Sequence, residues 1–594
     1  MTVHNFHIPV MGIGFSIDTP IKVAQYGISS VISLVDDFLI EKMREFYCKK
    51  VNLPYIAIDK NEPDFRARRI TSYLNLINKI VKKKFEELKT SPFEKGSESI
   101  KYLEMLPENS RLRQVYNKML QTKNDETVKK MQNWLKENLF LGSINVNIMT
   151  KVDKINFNGK KELSVEYNDA HAALRGFALS DLNSSIVLSA GINPELYSYI
   201  ANFEDFYPDE NGFLKKRIIL KVSDYRSALT QGKFLAKKGL WVSEYRIESG
   251  LNCGGHAFAT HGYLLGPILE EFKKRKQELI RITHELLVSA LKNKNKSFCD
   301  IPLNLRITAQ GGIGTVKEQS FLLNYYKVDS TGWGSPFLLV PEVTNVDQTT
   351  LKLLSNAKEE DLYLSDISPL GVPFNSLRGN TKDIEKQMLI EKGRPGSACA
   401  KKYLVANKEF TDRGICTASR QYQHLKIEEL KKKPLDHKEY KNSFSKIVEK
   451  SCICVGIGTS ALLVNDMDTK VEGKGVSVCP GPNLAYFSNV VSLKEMVDHI
   501  YSRINILKNN NRPNMFIKEL DMYVDYLRKM VAESLKPLRE KQIKYFKSFQ
   551  NNLHEGINYY KNLFSSVIEE SKSVKDKLIA ELEYLEYKLS CVQF

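Results

Sequence analysis

No apolar run in this chain reaches the roughly 18 to 20 residues that span a bilayer, so a membrane protein is not expected. Nine cysteines in 594 residues are too few and too scattered to form a disulfide framework. The first ten residues, Met1-Thr-Val-His-Asn-Phe-His-Ile-Pro-Val10, lack the basic start and apolar stretch of a secretory leader. The expectation is a cytoplasmic protein in a reducing compartment. Internal repeats, low-complexity linkers and RNA-binding signatures are also missing. That matters because a net charge of +17 would otherwise suggest nucleic acid or an acidic membrane. The lysines are spread through helix-like segments that also carry acids, as around Lys82-Lys-Lys84 and Lys431-Lys-Lys433. They read as a solvated surface, with no nucleic-acid partner.

What is present is a series of short apolar runs that close on small or polar residues. They fall at 8–14, 30–36, 144–150, 185–191, 217–223, 240–247, 303–309 and around 330–337. Helical patterns follow most of them, most clearly over 224–238 and 266–292. Continuous apolar strands alternating with helices predict a parallel sheet covered by helices. About eight such units predict an α/β fold of the (β/α)₈ barrel kind, with a doubly wound open sheet as the rival. A glycine cluster at Gly311, Gly312 and Gly314 favours the barrel. In an open nucleotide-binding sheet it would normally follow the first strand; here it follows the seventh, where barrels commonly bind phosphate.

The expected organisation is a barrel from 1–36 and 142–358, interrupted after strand two by a helical insertion at 37–141. That insertion is too long for a loop and carries helical patterns at 70–88 and 127–139. A Gly-, Pro- and Cys-containing extension packed on the barrel follows at 359–490. Residues 491–594 are expected to form a helical hairpin from 516–535 and 540–589, which would suit packing or a homo-oligomer.

Three groups of residues suggest chemistry. A strand that ends in Gly311, Gly312 and Gly314 and opens a helix offers backbone N–H groups at a positive helix end, as a phosphate requires. After strand six, Gly254 and Gly255 allow close backbone approach. His256 beside them is a candidate general acid or base, set against an ordinary turn histidine. Lys221 ends strand five on the face where barrels place their active sites.

Glu248, Gly254-Gly255-His256 and Ala309-Gln-Gly-Gly-Ile-Gly-Thr315 together resemble the nitronate monooxygenase superfamily of FMN-dependent barrels. The nearest branch is the enoyl-reductase subunit of polyunsaturated fatty acid synthases. Its segments are similar to Lys221-Val-Ser223, Cys253–His256, Gln310–Thr315 and the stretch from Asp361 to Gly379. The resemblance covers residues 8–379 discontinuously. It implies an FMN-dependent oxidoreductase acting on a small conjugated or acyl substrate, such as a nitronate or an enoyl thioester, possibly bound to a carrier protein. It implies that Gly311, Gly312 and Gly314 hold the FMN phosphate, with Gly332, Gly334 and Ser335 as the second half of the cradle. Met11 and Gly12 would lie along the flavin ring, and Gly254 and Gly255 would approach it. Lys221 would bring positive charge to the ring, and His256 would handle the proton. Two departures stand out: five residues separate Glu248 from Gly254, more than the family usually has, and Trp333 interrupts the second glycine pair.

Other readings remain open on the residues alone. Lys221 could serve an isomerase or lyase that binds a phosphorylated ligand. The C-terminal helices could belong to a non-catalytic assembly scaffold. Cys399, Cys416, Cys452, Cys454 and Cys479 lie in one region, but Cys-x-Cys with long outer spacings fits packed thiols better than a metal or cluster, so no metal site is expected. Asp18, Asp36, Asp37 and Asp153 fall at strand ends, where helix capping explains them more simply than a metal does.

Overall fold

The computed structural model describes residues 3–189, 191–252, 261–508, 512–534, 537–568 and 570–594. Eight parallel strands close into a barrel. They are β1 (Phe6–Ile8), β2 (Ser29–Ser33), β3 (Ile144–Ile148), β4 (Ser184–Leu188), β5 (Lys216–Val222), β6 (Val242–Glu248), β7 (Arg306–Gln310) and β8 (Ser330–Gly332). Closure comes from β1, which pairs with β2 on one side and β8 on the other. The open-sheet alternative is thereby excluded.

The side-chain alternation of a strand sorts these residues into two environments. Ile32, Ile186, Ile218, Leu220, Tyr245, Ile247 and Ile307 face outward into the large core beneath the helices. Val31, Val187 and Ile219 form a separate small cluster, with Val10 against it. Lys221 is two residues beyond Ile219, so it takes the same face. Across β6 and β7 that inner face is polar: Glu244 accepts from Arg246 at 2.9 and 2.7 Å and from Thr308 at 2.8 Å.

The insertion after β2 folds as five helices: Asp37–Lys50, Phe65–Thr90, Glu98–Met105, Arg111–Gln121 and Asp125–Glu137. Within it Asp37 pairs with buried Arg66 at 2.6 Å and Arg69 at 3.0 Å, and Arg66 ties it to the barrel by donating to Val35 O at 2.6 Å and Asp169 O at 3.2 Å. Asp36 caps the first of these helices by accepting from the Leu39 N–H. At the C-terminus the expected two-helix hairpin is corrected to three helices, Met515–Glu533, Glu540–Ser566 and Lys572–Ser590. The break lies in serine-rich chain. Ser565 and Ser566 return their hydroxyls to carbonyls three and four residues back, which competes with helix propagation. Lys588 then bridges to Asp521 and Asp525 at 2.8 Å each, closing the third helix on the first.

Candidate active site

The carboxyl ends of β5, β6 and β7 bring one charged group together. Lys221 Nζ lies 2.9 Å from Glu248 Oε1. The same oxygen accepts from Gln310 Nε2 and from Asn252 Nδ2, each at 2.5 Å. Glu248 and Gln310 are register partners across β6 and β7, so the strands themselves set this contact. The side chains of Lys221 and Glu248 keep 16% and 17% exposure, enough for a ligand in the mouth to reach them. Glu248, which the long spacing to Gly254 had put in doubt, is the centre of the cluster. Gly332 allows its tight packing: a Cβ there would fall 2.5 Å from Gln310 Cβ and 3.0 Å from His7 Nε2.

The glycine loop stands directly after Gln310. Gly311 and Gly312 have φ of 107° and 77°, which L side chains rarely adopt. Both pack against the loop after β6, where an added Cβ would meet the Asn252 N at 3.0 Å and Leu251 Cδ1 at 2.5 Å. The anion-binding end holds a protein group. Glu318 accepts from the N–H of Gly314 at 2.9 Å and of Thr315 at 3.2 Å, closing a capping box on the helix Val316–Asn324. Its other oxygen pairs with Arg512 at 2.6 Å.

The loop's carbonyls are held by the chain that follows the barrel. Arg512 donates to Gly312 O, Asn483 Nδ2 to Ile313 O at 2.8 Å, and His499 Nε2 to Gly314 O at 3.0 Å. Burial lowers the pKa of His499 below the ordinary histidine value, which suits a neutral ring donating through Nε2. Trp333 is fully buried; its Nε1 donates to Gln319 Oε1 at 2.6 Å and its ring meets His499 edge-on. The interruption between Gly332 and Gly334 is thus a packing residue that braces the clamp. Gly334 precedes the short turn Ser335–Leu339, and Ser335 Oγ accepts from the Gly481 N–H at 2.8 Å. Met11 is wholly buried, and a Cβ on Gly12 would sit 2.4 Å from Ile457 in the helix Ile453–Val464.

Gly254, Gly255 and His256 lie outside the described residues; one side chain holds described residues that precede and follow them in the sequence. Glu519, in the helix Met515–Glu533, accepts from Ser249 Oγ at 2.7 Å and the Gly250 N–H at 3.2 Å on one side. On the other it accepts from the Leu265 N–H at 2.8 Å. Burial pushes the Glu519 carboxyl up to about 7, against the pull of those donors. Glu519, Arg512, Asn483 and Gly481 carry no local motif, and only their contacts show their roles.

The residues meet the demands of a flavin unequally. At the ring end, Lys221 at the mouth suits an anionic reduced ring. At the phosphate end the present arrangement does not fit, because a dianion at the Gly314 and Thr315 amides would meet the Glu318 carboxylate.

Two solved structures are similar over most of the chain. One is the enoyl reductase domain of MlnA from the macrolactin biosynthesis cluster of Bacillus amyloliquefaciens. It is 14% identical over 76% of this chain and 88% of that one, with a TM-score of 0.31. The other is a nitroalkane oxidase from Streptomyces ansochromogenes, 11% identical over 64% of this chain and 85% of that one, with a TM-score of 0.27. These are an enoyl reductase and a nitro-compound oxidase, the two kinds of protein to which the motifs are similar. At such TM-scores the likeness carries no weight in assigning function. No protein-family model and no curated protein matches the sequence.

Proposed function

We propose that the chain is a flavin-dependent oxidoreductase of the barrel type, with its reaction centre at the carboxyl mouth. The observation that supports this reading best is the Lys221–Glu248–Gln310 cluster, a held cation at the ends of three adjoining strands where barrels do their chemistry. A flavin would supply hydride or electron transfer; FMN, the form the motifs imply, would need the Glu318 carboxylate drawn off the Gly314 and Thr315 amides to seat its phosphate. The chain's own groups would do the rest. Lys221 favours negative charge developing on a conjugated oxygen. Glu248 fixes the Lys221 side chain and is itself oriented by the Gln310 and Asn252 amides. His256 would take or give the accompanying proton. The substrate class is a nitronate or an enoyl thioester, with a carrier-protein-bound acyl group as one form and a homo-oligomer through the C-terminal helices as a further expectation.

The test is to mix the purified chain with FMN and pass it through gel filtration. Retained two-banded flavin absorption, bleached by dithionite, is the expected result. A colourless chain that releases all added FMN overturns the flavin reading. His256→Ala should retain flavin and lose turnover of a nitronate or enoyl thioester; unchanged turnover removes His256 from the mechanism.

A further inference from the structure

The helix Arg420–Lys431 in the extension has two differently charged sides. On one, Lys426 is paired with Glu409 at 2.6 Å and Glu429 at 2.8 Å, and Lys433 just beyond the helix with Glu429 at 2.9 Å. The other side presents Arg420, His424, Ile427, Glu428 and Lys431, spaced as neighbours along one helix face. That side lines a cleft of about 880 Å³. The rest of the lining comes from chain within 393–405 and 411–416, folded together by bridges between Ser397 and Ser419 and between Asn407 and Ile415.

The cleft gathers cations that lack anions. Arg394, Lys402, Arg413 and Arg420 line it, and among the described residues none of these four is ion-paired with a carboxylate. The acid that lines it, Glu428, is already taken by Lys431 at 2.8 Å. Arg420 is fixed in place: its N–H donates to Ser397 O at 2.9 Å, and a Cβ on Gly396 would fall 2.7 Å from Arg420 Cα. Yet Arg420 Nε is buried without a hydrogen-bond partner among the described residues. A bare buried guanidinium nitrogen is costly until an acceptor reaches it. Arg413 lies over the Phe157 ring at 4.4 Å and donates to Gly159 O at 2.8 Å, which sets the cleft against the hairpin that follows β3. Val405, Ile415 and Ile427 add apolar surface to the same lining.

We propose that this cleft binds a phosphorylated small molecule with an apolar body. Guanidinium forks suit phosphate, which can accept two parallel bonds from one arginine. Four unpaired cations around one opening repel one another, and a dianion between them turns that repulsion into attraction. The volume falls in the range that takes a whole small ligand, about 300–1,000 Å³, so a bare phosphate would leave most of it empty. The apolar side chains give the remainder of the ligand its place. This site is distinct from the glycine loop, where the Gly314 and Thr315 amides already hold Glu318.

Titration calorimetry of the full chain with three probes tests the assignment: naphthyl phosphate, inorganic phosphate and naphthol. Naphthyl phosphate should bind at one site per chain, roughly tenfold or more tighter than either of its halves, and should weaken as salt rises. Lys402→Gln, at an exposed position, and Arg420→Gln should each weaken it roughly tenfold, while Lys426→Gln on the paired side should leave it unchanged. No binding of naphthyl phosphate by the full chain overturns the proposal. So does equal binding by the parent and Lys402→Gln, whether or not Arg420→Gln folds. Naphthol that binds as tightly as its phosphate ester overturns it as well, because the cations would then contribute nothing. These readouts depend on neither flavin binding nor turnover.

Discussion

Glu244 and Glu519 are both buried carboxylates, one at each end of the barrel, and their surroundings push them in opposite directions. Glu244 lines a cavity of about 670 Å³ at the amino mouth. Burial would raise its pKa, but Arg246, Arg306 and His7 outweigh burial and hold it at about 2. Glu519 accepts from Ser249, Gly250 and Leu265, all neutral donors, so burial wins and it rises to about 7. The amino end is a charge-balanced polar opening, whereas the carboxyl end is covered by the chain that follows the barrel. The lesson is that access to the candidate chemistry is governed by that cover, not by the barrel's shape.

Four experiments break or sharpen this contrast. The largest effect is expected from Arg246→Met at the amino end, which leaves Glu244 buried without its main partner and should cost about 3–5 kcal/mol in urea unfolding. Activity per folded molecule should not change; a loss of turnover would mean that the amino end takes part in the reaction. At the carboxyl end, Lys221→Met should keep the fold, since Glu248 retains its two amide donors, and should lower turnover roughly 10²–10³-fold. A smaller but sign-specific effect comes from pH. Glu519 has a folded pKa raised above its unfolded value near 4.5, so the folded state binds more protons between about 4.5 and 7. Its contribution is present below about 4.5 and lost as pH rises toward 7, up to about 3 kcal/mol. Glu244 behaves oppositely, contributing above 4.5 and losing its contribution as pH falls toward 2. Stability curves should therefore change slope in opposite ways: Glu519→Gln removes a loss on alkalinisation, and Glu244→Gln removes a loss on acidification. Identical curves for Glu519→Gln and the parent would discount its buried charge. The smallest effect is expected from Glu318→Gln, which takes the carboxylate off the Gly314 and Thr315 amides and should tighten FMN binding about tenfold. Weaker binding would mean that Glu318 supports the cofactor.

Strands were readable because each is a short apolar run with its own ends. The placement of Lys221, Glu248 and Gln310 at three successive strand ends followed from that periodicity. Even so, the chain's own ordering of Gly254, Gly255 and His256 before Gly311, Gly312 and Gly314 said nothing about what covers them. Arg512 reaches Gly312 across 200 residues of chain, and Glu519 reaches Gly250 across 269. No spacing rule links such pairs.

Local chemistry thus decided what repeats locally: eight strands, the helices after them, the glycines where the backbone must turn, and the inward period of the strand residues. Tertiary structure decided what depends on distant partners meeting: the break that makes three C-terminal helices instead of two, the carboxylate on the glycine cradle and the clamp on its carbonyls. The reason is that a hydrogen bond or an ion pair between remote residues is selected by the packed fold, while a strand or a cap is selected by its immediate neighbours.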